Sequence, residues 1–321
     1  MHRQIAALLD AGHEVTYIAP FTFHNVTPTA RVTAVDVPRG REISRGLSRV
    51  RAALRRACRD ADLLLVHDLD LLRVLPYRRP PVVWDMRETP AGPLARATAA
   101  RAARRHLVLG SEYGTAAHAV VPETTLVPPT PPSPPGDTRV VHIGRLSAER
   151  GVAELVALAE RLAPHGVRLD LIGGADREAR PLLRDAQRAG LLDWYGYVPN
   201  RHALRMAEGA LAGLSLTTLP GVPTKILDYM GRGVPVVTTP PGAEPVRRAG
   251  CGIVVPLDVE AVLNAVLDLK EQPATRMAMG ERGHREARLR HHWPDHAPAF
   301  VARLERHATV TTLSLAVQPQ G

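Results

Sequence analysis

Two stretches in the second half of the chain carry residue types that together suit a diphosphate. The first, His142-Ile143-Gly144-Arg145-Leu146-Ser147-Ala148-Glu149-Arg150-Gly151, follows an apolar run and opens a helical one. Gly144 has no side chain to hold a ligand away from the backbone. Arg145 and Arg150 set two guanidinium groups beside a helix N-terminus, whose unpaired N–H groups attract anions. The same residues also suit a plain capped helix with surface arginines. The second stretch, Pro223-Thr224-Lys225-Ile226-Leu227-Asp228-Tyr229-Met230-Gly231-Arg232-Gly233-Val234-Pro235-Val236-Val237, reads as a short helix, a glycine stop and a buried strand. Pro223 favours a first helical turn. Of 41 basic residues only Lys225 and Lys270 are lysine, so a compact ammonium at 225 is a choice against the chain's own habit. Asp228, one turn beyond Thr224 on the same helix face, can accept two hydroxyls of a ribose. The competing reading is a solvated Lys and Asp on a surface helix.

The elements around these stretches alternate strand and helix. His13–Ala19, Arg31–Val37, Asp62–His67, Pro81–Asp85 and His106–Gly110 read as strands, with helices over Ile43–Cys58 and Ala91–Arg105. Seven prolines between Val121 and Asp137 can neither pair in a sheet nor continue a helix, and predict a stiff connector. The alternation then restarts: strands Thr138–Ile143, Val167–Ile172, Trp194–Val198, Ala212–Thr217 and Pro235–Thr238, helices Gly151–Ala163, Asp176–Ala189, Arg201–Gly209 and Thr224–Arg232. This pattern predicts an α/β protein of two Rossmann-like, doubly wound parallel-sheet domains, with ligands at strand C-termini in a cleft. The expected division is 1–121 for the first domain, 122–137 for the linker, 138–291 for the second domain and 292–321 for a C-terminal helix and tail. The first domain opens on a helix (Ile5, Ala6, Leu8, Leu9) and lacks the strand that normally precedes it. An upstream start, loss of the strand, or its replacement by the strand-like Thr309–Val317 would each account for this.

Composition narrows the partners. The length of 321 residues fits two domains, and the net charge of +9 suits nucleic acid, an anionic membrane or a phosphorylated ligand. Aromatics at 4% are too few for single-strand stacking platforms, so nucleic acid is set aside. No apolar run approaches the roughly 18–20 residues of a membrane span, and no signal peptide is visible. Cys58 and Cys251 form neither a disulfide framework nor a zinc site, so a cytoplasmic address is expected. Between Arg39 and Arg59 eight arginines face one glutamate opposite an apolar stripe. That face reads either as a solvated helix of an Arg-rich chain or as a peripheral contact with an anionic membrane or phosphate-bearing acceptor.

Five landmarks in order resemble the retaining family 4 glycosyltransferases of the GT-B fold. G-R-L-x-x-E-R-G at 144–151 is similar to that family's G-R-L-x-x-x-K-G, and P-T-K-x-x-D-Y-M-x-x-G-x-P-V-V at 223–237 to its P-x-K-x-x-E-Y-M-x-x-G-x-P-V-V. Leu171-Ile172-Gly173-Gly174, Trp194-Tyr195-Gly196-Tyr197-Val198-Pro199 and Ala249-Gly250-Cys251-Gly252-Ile253-Val254 are similar to its remaining landmarks. In the first domain Leu8–Ala19 resembles its first helix and second strand, His67-Asp68-Leu69-Asp70-Leu71-Leu72 an H-D-P-E-L-L segment, and Trp84-Asp85-Met86-Arg87-Glu88 a Y-D-x-H-E segment.

The resemblance implies a nucleoside-diphosphate sugar as donor, with no separate cofactor and no metal. It implies that Arg145 and Arg150 stabilise the leaving phosphate. Gly144, Gly173, Gly174, Tyr195, Thr224, Lys225 and Asp228 would bind the donor, and His67, Asp68, Arg87 and Glu88 would lie on the acceptor side. The sequence departs from the family at Pro220, where its first conserved Glu would fall, at the shorter Asp228, at Arg87, which cannot serve as a base, and at the missing glycine-rich loop. These departures motivate a second reading, a non-catalytic partner of glycosyltransferase shape. A third, a nucleotide-sugar 2-epimerase, needs cleft carboxylates and histidines that are not evident.

Overall fold

The computed structural model describes residues 2–19, 29, 31–36, 43–86, 90, 92–111, 119–219 and 221–316. They divide into two compact units, Met1–Pro122 with Pro294–Gly321, and Glu123–Trp293. No helix among the described residues is long and apolar enough to cross a membrane.

The second unit is built on a six-stranded parallel sheet. Its strands are β7 (Arg139–Ile143), β8 (Arg168–Ile172), β9 (Leu192–Trp194), β10 (Ala212–Ser215), β11 (Val236–Thr238) and β12 (Gly252–Val254), in the order β12-β11-β10-β7-β8-β9. Parallel strands covered on both faces need apolar residues at successive positions rather than alternate ones, which is what these short runs supply. Val140, Leu169, Leu171 and Leu214 face a core closed by α4 (Val152–Leu162), α5 (Arg180–Arg188) and α9 (Val259–Glu271). Val141, Ile143, Ile172 and Val236 face the other way, onto α6 (Asn200–Ala207), α7 (Thr224–Gly231), α8 (Glu244–Ala249) and α10 (Pro273–Arg290). On α4 the buried positions Val152, Leu155, Val156, Leu158, Ala159 and Leu162 make one stripe. Gly280 and Gly283, three apart on α10, let that helix close on its neighbours: a Cβ at 280 would stand 2.3 Å from the Gly233 carbonyl oxygen.

The chain enters this sheet at β7, winds outward through β8 and β9, then returns to β10 on the other side. The switch point therefore lies between β7 and β10, where open α/β sheets leave a crevice at the strand C-termini.

The proline segment is laid along this unit. Gly136 donates its N–H to the Gly209 carbonyl at 2.9 Å, and a Cβ on Gly233 would stand 2.8 Å from the Pro132 ring. Thr125 exchanges backbone bonds with His291 (2.7 Å) and Trp293 (2.9 Å). Prolines cannot pair in a sheet, but their rings make a stiff surface that glycines can approach.

In the first unit β1 (Val15–Ala19) pairs in parallel only with β2 (Val32–Asp36). A separate parallel sheet runs β3 (Leu64–Val66), β4 (Val82–Met86), β5 (Leu107–Ser111), β6 (Ala119–Val121). Among the described residues no further strand pairs with the edges of β1 and β3. α1 (His2–Asp10) and α2 (Ile43–Ala57) belong to this unit, Val50, Ala53 and Leu54 of α2 packing with Ile18 and Val35. α3 (Pro93–Ala103) covers Trp84 and Val108.

The expectation of a strand over Thr309–Val317 is corrected. α11 runs without a break from Trp293 to Ala316, and residue 317 lies outside the described residues. Local Thr and Val content favours a strand only weakly and yields to a helix already propagating into it.

Candidate functional site

The loops after β7 and β8 are joined as a short ladder. Gly144 donates to the Ile172 carbonyl (2.9 Å), Leu146 to Gly174 (3.0 Å), and Asp176 back to Leu146 (3.0 Å). Gly173 is required for this: a Cβ there would lie 1.8 Å from the Gly144 carbonyl oxygen. Gly174, by contrast, has nothing within 4 Å of where a Cβ would stand. The Trp194 indole N–H donates to the Gly173 carbonyl at 2.9 Å and fixes the same turn from β9.

Onto this ladder α7 brings Lys225. Its Nζ lies 3.0 Å from Nε2 of His142 and 3.3 Å from the place of a Cβ on Gly144. Tyr229, one turn further along α7, sets the helix against the sheet. Its hydroxyl accepts the Ile143 N–H at 2.8 Å and lies 3.3–3.4 Å from the carbonyls of Leu214 and Val141. The ring lies flat on Gly213, where a Cβ would stand 2.4 Å from it. Burial raises the phenol's pKa above its ordinary value, so the hydroxyl stays neutral.

The electrostatics follow from this crowding. His142 is fully buried, and burial together with the cations Lys225 and Arg150 holds its imidazole well below the usual histidine range. Lys225 as a residue keeps partial exposure, but its ammonium is enclosed; burial first, then the Arg150 guanidinium, pushes its pKa down to about 7. The Arg150 guanidinium has no hydrogen-bond or ion-pair partner among the described residues. Arg145, 58% exposed, donates through Nε to Asp176 at 2.7 Å, and that bond raises its pKa further. Unpaired or weakly paired cations beside a glycine backbone, at a sheet's switch point, make a ready anion site.

Of the residues singled out from sequence, Gly144, Arg150, Gly173 and Lys225 come together here. Arg145 stands on the adjoining turn. Tyr195 is 46% exposed just beyond β9, and Thr224 is exposed in the first turn of α7. Asp228 is different: it is buried, with Oδ1 accepting the Thr125 hydroxyl at 2.6 Å. Its spacing from Thr224 is helical as expected, but Thr224 lies in solvent while Asp228 is covered.

In the first unit His67 Nδ1 lies 3.3 Å from the buried Asp85, which also accepts the Gln4 amide at 2.7 Å. Asp68 caps the 3₁₀ turn Leu69–Arg73, accepting the Asp70 N–H at 2.8 Å. Arg87, Glu88 and Pro220 lie outside the described residues. No group of three metal-ligating side chains occurs among the described residues. Arg49, Arg51, Arg55, Arg56 and Arg59 are exposed, and none forms an ion pair with another described residue.

Sequence reasoning gave no role to His142, Tyr229 or Trp194. The first had a signal: a histidine inside the apolar strand Val140-Val141-His142-Ile143 is a buried polar group that needs a partner.

The fold is GT-B, two Rossmann-like units each on parallel sheet. The chain superimposes on sucrose-phosphate synthase from Thermosynechococcus elongatus with a TM-score of 0.77 at 15% identity, covering 95% of this chain and 91% of that one. Anabaena HepE, solved with UDP and glucose, gives a TM-score of 0.75 at 17% identity over 95% and 94%; it has also been solved with UDP-glucose. WaaG, a glycosyltransferase involved in lipopolysaccharide biosynthesis, gives 0.66 at 16% over 94% of each chain. Residues 137–272, which hold every residue of the cation cluster and the ladder, match the family model described as Glycosyl transferases group 1. No curated protein matches the sequence.

Proposed function

We propose that this protein is a glycosyltransferase that takes a sugar from a nucleoside-diphosphate sugar and passes it, with retention, to a hydroxyl acceptor. The observation that carries this reading is the Lys225 ammonium beside the Gly144 backbone at the sheet's switch point, with the Arg150 guanidinium near enough to act on it. The match of residues 137–272 to the glycosyltransferase model and the UDP-sugar bound by HepE support it.

On this reading the diphosphate sits against Gly144, Lys225 and the partner-free Arg150, with Arg145 exchanging Asp176 for phosphate. The base rests by Gly173, Gly174 and Tyr195. Thr224 lies beside the donor, and Asp228 meets the ribose once its carboxylate exchanges the Thr125 hydroxyl that covers it for those of the sugar. The bond from the anomeric carbon to the β-phosphate oxygen breaks, and negative charge gathers on that oxygen as the sugar becomes oxocarbenium-like. Fixed cations there stabilise the transition state more than the ground state. The acceptor hydroxyl bonds to the anomeric carbon on the same face, and its proton passes to the departing phosphate. No side-chain base is needed for that step. The reading is metal-independent, because cations already surround the phosphate position and would repel a divalent ion. The exposed arginines of α2 support contact with an anionic acceptor surface or membrane.

The test is turnover of UDP-glucose with and without acceptor mixtures. Arg150→Ala and Arg145→Ala are each expected to lower turnover by about two to three powers of ten. Wild-type turnover in either variant would overturn the assignment.

A further inference from the structure

While Lys225 is protonated its ammonium only donates hydrogen bonds, so its 3.0 Å contact with His142 Nε2 then rests on a lone pair on Nε2. The imidazole is then neutral, with its proton on Nδ1, which is buried without a hydrogen-bond partner of its own among the described residues. Its surroundings keep it so: the ring is wholly buried in β7, and the charged groups that reach it are Lys225 from α7 and Arg150 from the 148–150 turn, both cations. For Lys225 the groups are His142 and Arg150, with no carboxylate acting on it among the described residues. On its other side the Gly144 backbone leaves room for the ammonium and little more.

We propose that His142 is a positioning residue, a permanently neutral acceptor that takes one N–H of Lys225, pins the ammonium over Gly144, and leaves its other two donors for phosphate. This rests on the donor-site reading above for what the two donors meet, but not for the pinning itself. A hydrogen bond to the charged form also keeps Lys225 protonated against the pressure of burial and Arg150. Donor binding then takes up a proton. UDP-glucose affinity is highest where Lys225 is already charged, below about pH 7, and falls as pH rises above it.

The chain's two lysines make this directly measurable. Lysine labelled with ¹³C and ¹⁵N gives two side-chain signals, Lys225 and Lys270, in the full protein without ligand. Lys225 is expected to titrate near pH 7. In His142→Leu its proton affinity should drop about tenfold, the scale of one lost bond to a charged group. His142→Gln, whose amide oxygen replaces the Nε2 lone pair, should restore most of it. The same midpoint in all three proteins would overturn the proposal. Should the leucine variant fail to fold, ¹⁵N signals of the wild-type histidines decide. His142, assigned by its loss in the glutamine variant, must carry its proton on Nδ1 and not titrate between pH 5 and 9; a proton on Nε2 refutes the idea. UDP-glucose titrations across the same pH range separate the two claims. Absence of binding at every pH defeats the donor-site reading, while the lysine signals still judge His142.

Discussion

Replacing Gly173 by alanine should damage the protein far more than replacing Gly174, although the two are neighbours in one motif. A Cβ on Gly173 would stand 1.8 Å from the Gly144 carbonyl oxygen and 2.6 Å from its carbon, against an ordinary carbon–oxygen separation of about 3.3 Å or more. Both atoms are backbone, so no side chain can swing aside. Gly144 would have to retreat by about 1.5 Å, and its 2.9 Å bond to Ile172 would break. Overpacking of this kind costs about 1–3 kcal/mol. The residue's φ of +155° adds about 1–3 kcal/mol for alanine, and the lost backbone bond about 0.5–1.5 kcal/mol. The total of roughly 2.5–7.5 kcal/mol should lower the melting temperature of the second unit by about 5–30 °C. Gly174→Ala, with open space at its Cβ, should stay within about 0.5 kcal/mol of wild type. Scanning calorimetry of both variants, with circular dichroism to confirm folding, makes the comparison. A Gly173→Ala protein melting within about 2 °C of wild type would refute the steric argument, since even its lower bound is several degrees.

Other outcomes follow from neighbouring contacts. Tyr229→Phe leaves the Ile143 N–H buried without an acceptor and should cost about 1–3 kcal/mol in urea unfolding; equal stability would show that the ring alone sets the helix. Thiol reagents at neutral pH should modify Cys58 in the native protein and both cysteines only after unfolding. Cys251 is fully buried, with its thiol pushed up to about 12 by burial. Rapid native labelling of two thiols would contradict that environment.

Much of the second unit is legible in the sequence, because its strands are bare apolar runs and its turns end in glycine or proline. Lys225 is legible too, as the rare lysine of an arginine chain. The strand expected over Trp194–Val198 lies instead at Leu192–Trp194, since Gly196 takes a left-handed φ of +65° and leaves the ladder. The covering of Asp228 is not legible: helical spacing says which residues share a face, but not that Thr125, 103 positions earlier, will lie against it. The role of His142 depends on the same kind of distant meeting, across 83 positions. The strand reading of the C-terminus failed because composition carried it alone, with no glycine or proline between Ala299 and Thr309 to stop the helix.

The ladder between the loops after β7 and β8 divides the crevice into a fixed wall and an adjustable one. Three backbone bonds and a glycine–glycine contact tie the two turns to each other without any ligand. A ligand meeting that wall pays little ordering entropy there, which otherwise runs to about 1–2 kcal/mol per residue. Those bonds involve only main-chain atoms and the glycines beneath them, so substitution there is punished whatever the ligand. Change is cheapest at side chains outside the ladder, at Tyr195, Thr218 and Thr224, all exposed to solvent. Descendants of this chain can therefore retune what they recognise along that rim while the glycine floor stays as it is.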